Sequence, residues 1–328
     1  MKMIRLSNEK LRELAVGYVG VEEEDGLLRF YKYTPEQVVG FGPWEHKNKT
    51  CGATTGIRFD FYTNSKSIAF SPATAGKYEF LVDGLLRKHI LVGDEENGAD
   101  MAPGGRFETE LSDTLGRKKD EYRITIYLPS HCVGQIAYIS LDDGAYARRY
   151  EYSRKFLIIG DSITQGWDSK YDSLSYANRI SRFFDAESVV QGRGGSIYNE
   201  NTVVKLPNFD PEVVIVAYGT NDYVHHNDMN EFKRRISLYH DNLKECYGDK
   251  KIFIISPIWR TLRDVKLNFV ECCEFIRDEA ERHGFIYIDG AELMPPINED
   301  FYTDGLHPTD LGFSFYAESL APKIQKYL

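Results

Sequence analysis

The spacing of apolar residues changes near position 150, and a chain with two periods has to build two kinds of layer. Before that point the runs alternate. Ile57-Arg58-Phe59-Asp60-Phe61, Tyr78-Glu79-Phe80-Leu81-Val82, Tyr122-Arg123-Ile124-Thr125-Ile126-Tyr127 and Gln135-Ile136-Ala137-Tyr138-Ile139 each put apolar side chains on one face of a strand. Turn residues separate them at Asp83-Gly84, Pro103-Gly104-Gly105 and Asp143-Gly144. Asp83-Gly84 directly follows a strand pattern and predicts a hairpin. Asn8 to Leu14 predicts a short helix. Strands with no helices between them predict a β-sandwich or jelly roll over residues 1–150.

After position 150 the strand runs are short and almost purely apolar, as in strands buried on both faces. They are Lys155-Phe156-Leu157-Ile158-Ile159, Val213-Val214-Ile215-Val216-Ala217, Ile252-Phe253-Ile254-Ile255 and Phe285-Ile286-Tyr287-Ile288. Helical stretches lie between them at Ser175 to Phe184, Asn230 to Tyr247 and Val265 to His283. Strands alternating with helices predict an α/β domain with a parallel sheet over residues 151–328. The boundary is expected within Ala145 to Lys155. A length of 328 residues suits two domains.

Composition excludes several classes. Apolar residues make up 42% and charged residues 27%, which is ordinary globular usage and not that of a disordered or fibrous chain. No run approaches the roughly 18 apolar residues of a membrane span. A formal charge of −10 argues against nucleic acid or an anionic membrane as partner. The first residues hold no apolar core of signal-peptide length, so the chain as written reads as cytoplasmic. Five cysteines without regular spacing are no disulfide framework, and no CxxC pair offers a zinc site. Cys272-Cys273 falls in a helical pattern and reads as packing.

In a parallel sheet the ligand lies beyond the carboxyl ends of the strands. Four segments follow the buried strands there. Gly160-Asp161-Ser162-Ile163-Thr164 sets a serine between strand and helix, where backbone N–H groups face an oxyanion; the plain alternative is a turn or helix cap. Gln191-Gly192-Arg193-Gly194-Gly195 offers bare amides, or is simply a flexible loop, and fits no dinucleotide fingerprint. Tyr218-Gly219-Thr220-Asn221-Asp222 supplies an amide that can donate to an oxyanion, or an Asx turn. Asp304-Gly305-Leu306-His307-Pro308 supplies a base and a carboxylate to orient it. Each is weak alone; all four fall at one edge in one chain order.

Together, Gly160-Asp161-Ser162-Ile163, Gly195, Gly219-Thr220-Asn221-Asp222 and Asp304-Gly305-Leu306-His307 resemble the four blocks of the SGNH (GDSL) hydrolases, over roughly residues 153–328. The resemblance implies a flavodoxin-like three-layer domain. It implies Ser162 as nucleophile, His307 as general base and Asp304 as its orienter. The oxyanion hole would be the N–H of Ser162, the N–H of Gly195 and the side-chain amide of Asn221. Ester hydrolysis would run through an acyl-enzyme with no metal and no cofactor. Two departures stand out: Gly-Asp-Ser-Ile replaces Gly-Asp-Ser-Leu, and Val190 or Gln191 stands where the glycine block usually opens with Asn. Gly192 and Gly194 therefore stay open beside Gly195. A β-sandwich ahead of such a domain looks like carbohydrate esterase family two, by fold analogy alone.

The expected substrate is a small-molecule or oligosaccharide ester carrying a short acyl group such as acetyl. Trp167, Tyr223, Trp259 and Arg260 are candidates to bind it, each also readable as core packing. A lipase, lysophospholipase or thioesterase is the enzymatic alternative, and an inactive carbohydrate-binding protein the non-enzymatic one. His225-His226 reads as a solvated loop, and His46, His89, His131, His240 and His283 stand in no constellation.

Overall fold

The computed structural model describes residues 2–43, 50–261 and 266–328; His46 and Val265, the expected first residue of one helix, lie outside them. The chain divides into two compact units. One holds Met1–Lys32, Gly52–Tyr152 and Tyr171–Ser173; the other holds Tyr33–Cys51, Ser153–Lys170 and Leu174–Leu328. The division is thus not a single cut near 150: a segment of the first third belongs with the α/β unit.

The first unit is antiparallel throughout its described ladders. Its strands are β1 (Met3–Arg5), β2 (Ala15–Val16), β3 (Gly20–Glu24), β4 (Leu27–Tyr31), β5 (Arg58–Thr63), β6 (Ser67–Pro72), β7 (Gly76–Val82), β8 (Leu85–Val92), β9 (Phe107–Glu110), β10 (Tyr122–Tyr127), β11 (Ile136–Asp142) and β12 (Ala147–Arg149). One sheet runs β1-β11-β6-β9, a second runs β12-β5-β10-β7-β8 with β2 on β5, and β3 pairs with β4. The two larger sheets face each other across one apolar core. Phe59, Phe61, Phe80 and Ile124 come from one sheet, Ile68, Phe70, Ile139 and Leu141 from the other. The rings of Phe70 and Phe80 meet across it at 5.9 Å. The alternation seen in the sequence sends the apolar side chains of these strands into the core on one face, while polar ones on the other face, among them Arg58, Asp60, Glu79 and Thr125, are buried as well. The hairpin at Asp83-Gly84 pairs Val82 with Leu85, and both turn residues have positive φ, 53° and 77°, as a two-residue type I′ turn requires. Helix α1 (Asn8–Leu14) buries Leu11 and Leu14 and is capped by the Ser7 hydroxyl.

The second unit carries a five-stranded parallel sheet of β13 (Arg154–Gly160), β14 (Ala186–Gly192), β15 (Val213–Ala217), β16 (Lys251–Ile255) and β17 (Ile286–Ile288). The order is β14-β13-β15-β16-β17, the flavodoxin-like 2-1-3-4-5 arrangement. Its helices are α2 (Pro35–Gly40), α3 (Ser162–Gln165), α4 (Tyr176–Phe183), α5 (Asp222–His225), α6 (Met229–Tyr247), α7 (Phe269–Arg282) and α8 (Asp310–Gln325). Phe156, Ile158, Val190, Val213, Ile215 and Phe253 are all buried to 0% exposure, which explains why these strands read as continuous apolar runs. Register aligns the strand ends: Gly160 pairs with Gly192 and Ala217, and Ala217 with Ile255. Whatever follows those four residues shares one edge of the sheet.

Candidate active site

Ser162 opens α3 two residues beyond the end of β13. Asp161 caps that helix, its Oδ1 accepting from the Ile163 N–H at 2.9 Å. Gly160 permits the sharp turn, because a Cβ there would lie 2.0 Å from the Thr164 hydroxyl oxygen. Ser162 is 6% exposed, and its Oγ lies 2.9 Å from Nε2 of His307. His307 reaches the same edge because its turn is pinned to the chain leaving β16: the Thr261 N–H donates to the Gly305 carbonyl at 2.8 Å.

Asp304 holds His307 from two sides. Its Oδ2 lies 2.8 Å from the ring Nδ1, and its Oδ1 accepts from the His307 and Leu306 amides at 2.8 and 3.0 Å. Partial burial raises the Asp304 pKa, but the His307 amide and ring and the Leu306 amide outweigh it and hold the carboxyl below its usual range. With Nδ1 held on Asp304, the Nε2 side of the ring faces the Ser162 hydroxyl.

The three glycines separate by geometry. A Cβ at Gly192 would sit 2.2 Å from the Gln165 backbone nitrogen, so this glycine lets α3 pack against β14. The Gly194 amide is spent on the Gln165 side chain at 2.8 Å. The Gly195 amide, at φ 74°, meets no acceptor among the described residues. Asn221 precedes α5 without capping it. Its Nδ2 donates one hydrogen to the Ser196 carbonyl at 2.9 Å, which ties the Asn block to the glycine loop and leaves the second hydrogen to donate elsewhere. The Asx-turn alternative does not apply.

The glycine loop is buttressed by a segment from the first third of the chain. The side-chain amides of Gln37 and Gln191 donate to each other at 3.0 Å, and Gln37 also donates to the Thr202 carbonyl at 2.9 Å. The Arg193 guanidinium lies 4.4 Å from the centre of the Phe41 ring. Gln191, one of the two residues standing near the place of the expected Asn, pairs with a residue 154 positions away.

Of the expected substrate contacts, Trp167 is 44% exposed and its ring centre is 6.2 Å from that of His307. Trp259 is 37% exposed, with its indole N–H on the Ala291 carbonyl. Arg260 donates to the Thr220 carbonyl at 2.9 Å, beside Asn221. Tyr223 is a correction: it is fully buried, packed on Phe269 and beneath Arg260, so its ring is core. The His225-His226 expectation also changes, since His226 is largely buried and faces Asp222. Sequence reasoning missed Asp168, whose Oδ2 lies 3.9 Å from the His307 Nδ1 and accepts from the Thr303 hydroxyl. It also missed that His240 and His283 stand together with Glu279.

Residues 158–314 match the GDSL-like lipase/acylhydrolase family. The chain carries an acylhydrolase domain of that family. Ser162, Gly195, Asn221, Asp304 and His307 all lie inside the matched span. The isoamyl acetate-hydrolyzing esterase of Schizosaccharomyces pombe is 26% identical over 214 residues, covering 59% of this chain and 84% of that protein. A GDSL lipase of Mycobacterium tuberculosis is 22% identical, covering 52% and 81%. Among solved structures, a salicylyl-acyltransferase from a tetracycline biosynthetic pathway superposes with a TM-score of 0.81 at 18% identity, covering 99% of this chain and 97% of that one. A family two carbohydrate esterase from Clostridium thermocellum, in complex with cellohexaose, has a TM-score of 0.65 at 17% identity, covering 84% and 93%. The acylhydrolase domain makes this chain a carboxylic ester hydrolase, with an SGNH domain and a β-rich unit in one chain. Among the described residues no helix is long and apolar enough to cross a membrane.

Proposed function

We propose that this esterase removes short acyl groups, acetyl in the first place, from a carbohydrate ester through an acyl-enzyme on Ser162. The observation that carries the reading is the hydrogen-bonded line Ser162–His307–Asp304, with the Gly195 amide and the free Asn221 hydrogen beside it. His307 takes the Ser162 proton as Oγ attacks the acyl carbonyl. The negative charge on the carbonyl oxygen is met by the amides of Ser162 and Gly195 and the side chain of Asn221. His307 then gives its proton to the departing alcohol oxygen, and the C–O bond breaks. Water repeats the sequence in reverse order of roles: His307 takes its proton, the hydroxide adds, and Ser162 leaves with that proton as the acid is released.

The carbohydrate part of the reading is supported by exposed aromatic side chains, Trp167 and Trp259, because indole faces stack on sugar rings. The short acyl group is supported by the acetate ester named in the yeast relative. The test is to incubate the protein with p-nitrophenyl acetate, quench in acid and locate the adduct by mass spectrometry. An acetyl group on the peptide containing Ser162, and none in Ser162→Ala protein, is expected. An adduct elsewhere, or full turnover by Ser162→Ala, would overturn the assignment.

A further inference from the structure

Helices α6 and α7 begin beyond the carboxyl ends of β15 and β16 and run back beside the sheet, so their last turns lie toward the opposite edge from Ser162. His240 belongs to the later half of α6; Glu279 and His283 are one turn apart at the end of α7, just before β17. One potential ligand atom from each of the three lies within 4.8 Å of the others.

His240 has no exposed surface, and neither of its ring nitrogens has a hydrogen-bond partner. A buried donor and a buried acceptor left unmade each forfeit their hydration with nothing in return. Aromatic rings line the rest of the pocket: Tyr198, Tyr239 and Phe285 all meet the imidazole edge to face. The His283 ring meets the same imidazole with its centre 5.5 Å away.

His283 is arranged as a metal-binding histidine is. Its Nδ1 lies 2.7 Å from the Glu279 backbone carbonyl; a carbonyl can only accept, so Nδ1 carries the proton and Nε2 is the nitrogen left for a ligand role. That Nε2 lies 2.8 Å from Oδ1 of Asp241. A contact this short is a hydrogen bond with no room for an ion between the two atoms, and Arg282 Nη2 lies 3.3 Å from the same nitrogen; a metal ion bound to Nε2 would take the place of both partners. Asp241 is exposed and supplies a route in from solvent. Arg282 donates to both Glu279 oxygens at 3.0 and 2.8 Å and lies 3.6 Å from Asp241; its side chain is half exposed, and a bound ion would displace it from Glu279.

We propose that His240, Glu279 and His283, with Asp241 at the mouth, bind a divalent transition ion of the zinc class that clamps α6 to α7. Two imidazoles and a carboxylate are donors that suit zinc rather than calcium or magnesium. The ion sits away from the serine chemistry, so its part is structural.

The experiment measures zinc binding to the full chain after stripping with a chelator, by equilibrium dialysis and by competition with a chromophoric chelator. Because Asp168, Asp304 and His307 form a second cluster of possible ligands, the same measurement is made on His307→Asn. One zinc per chain is expected in both proteins. His283→Gln and Glu279→Gln, each checked for an unchanged circular dichroism spectrum, should weaken it by more than the roughly 10–100-fold that loss of an outer hydrogen-bond partner costs. Cobalt(II) in place of zinc should show the visible absorption of a four-coordinate ion. No bound zinc, or a zinc lost in His307→Asn and kept in His283→Gln, would overturn the proposal.

Discussion

Asp168 holds a carboxylate oxygen 3.9 Å from Nδ1 of His307, just outside the 2.8 Å contact that Asp304 makes with the same nitrogen. The Thr303 hydroxyl fixes it there, on a residue with φ 69°. Loss of a triad aspartate alone costs about 10⁴ in kcat where nothing replaces it. Here a small rotation brings Asp168 onto the ring. Asp304→Ala should therefore lose only about 10²-fold, and Asp304→Ala with Asp168→Ala the full ~10⁴. Equal kcat for the single and double variants would show that Asp168 does not substitute.

Asn221→Ala removes both the free amide hydrogen and the tie to Ser196. Charge on the carbonyl oxygen is greatest in the transition state, so the loss should fall on kcat, by about 10²–10³, or roughly 3–4 kcal/mol, with KM nearly unchanged. A change confined to KM would assign Asn221 to substrate binding.

The glycine loop gives a sharper comparison. At Gly194 a Cβ meets nothing nearer than the Gln165 Oε1 at 3.5 Å, and the amide stays on Gln165. At Gly195 there is open space, but φ 74° disfavours any side chain by about 1–2 kcal/mol. Alanine there should swing the amide aside, and a displacement near 1 Å costs about 10²-fold. Gly195→Ala is expected to lose activity to that degree and Gly194→Ala to stay within a few-fold of the parent. The reverse ranking would move the oxyanion amide to Gly194.

Much of this was legible in the sequence, for physical reasons. The runs at Phe156 to Ile159 and Val213 to Ala217 show no alternation because helices cover both faces of the sheet, and the alternation at Tyr122 to Tyr127 persists because one face does not enter the core. Asp83-Gly84 was readable because only residues tolerant of positive φ make that turn. What escaped was set by pairing over long separation. Nothing local marks Gln37 as the partner of Gln191, so the segment from Tyr33 to Cys51 could not be assigned to the α/β unit. Residue type does not say which way a ring points, hence Tyr223 in the core rather than at the site. Asp168, alone after Trp167, reads as an ordinary turn residue. His240 and His283 are joined only by the packing of α6 on α7.

Asp161 lends itself to a stability measurement. Complete burial pushes its carboxyl up to about 7, against the Ile163 amide, with the nearby Asp222 charge adding to the rise. The folded state thus holds this proton more tightly than the unfolded state does, whose carboxyl titrates near ~4. The stabilisation is complete below ~4 and is lost as pH rises through about 7. Asp161→Asn keeps the helix cap and removes the titration. Its unfolding free energy should gain on the parent's as pH rises from ~4 to ~7, by a margin on the order of a few kcal/mol, read from melts across that range. Asp172, also pushed up to about 7 by burial, is common to both proteins and cancels. Parallel melting curves across that range would show that Asp161 is not a buried acid.

Acyl-chain length tests the substrate reading most directly. A long chain needs a continuous apolar groove beside Ser162, gaining roughly 0.8 kcal/mol for each buried methylene. The residues placed there are of another kind. Trp167, whose amide donates to the Ser162 carbonyl at 2.8 Å, presents a half-exposed ring. Arg193 is held on Phe41 with its Nη1 on the Ser196 hydroxyl at 3.0 Å. Arg260 reaches the Thr220 carbonyl, and Asp168 and Thr303 border His307 on its other side. With Tyr223 in the core, none of the aliphatic surface a fatty chain needs is supplied from the Asn block. In a series of p-nitrophenyl esters, kcat/KM should be highest for acetyl and fall steeply by about eight carbons, since added methylenes find no continuous apolar wall among the described residues named above. Acetylated oligosaccharides should be deacetylated alongside. A specificity constant rising steadily from acetyl to decanoyl would assign the domain to lipid substrates instead.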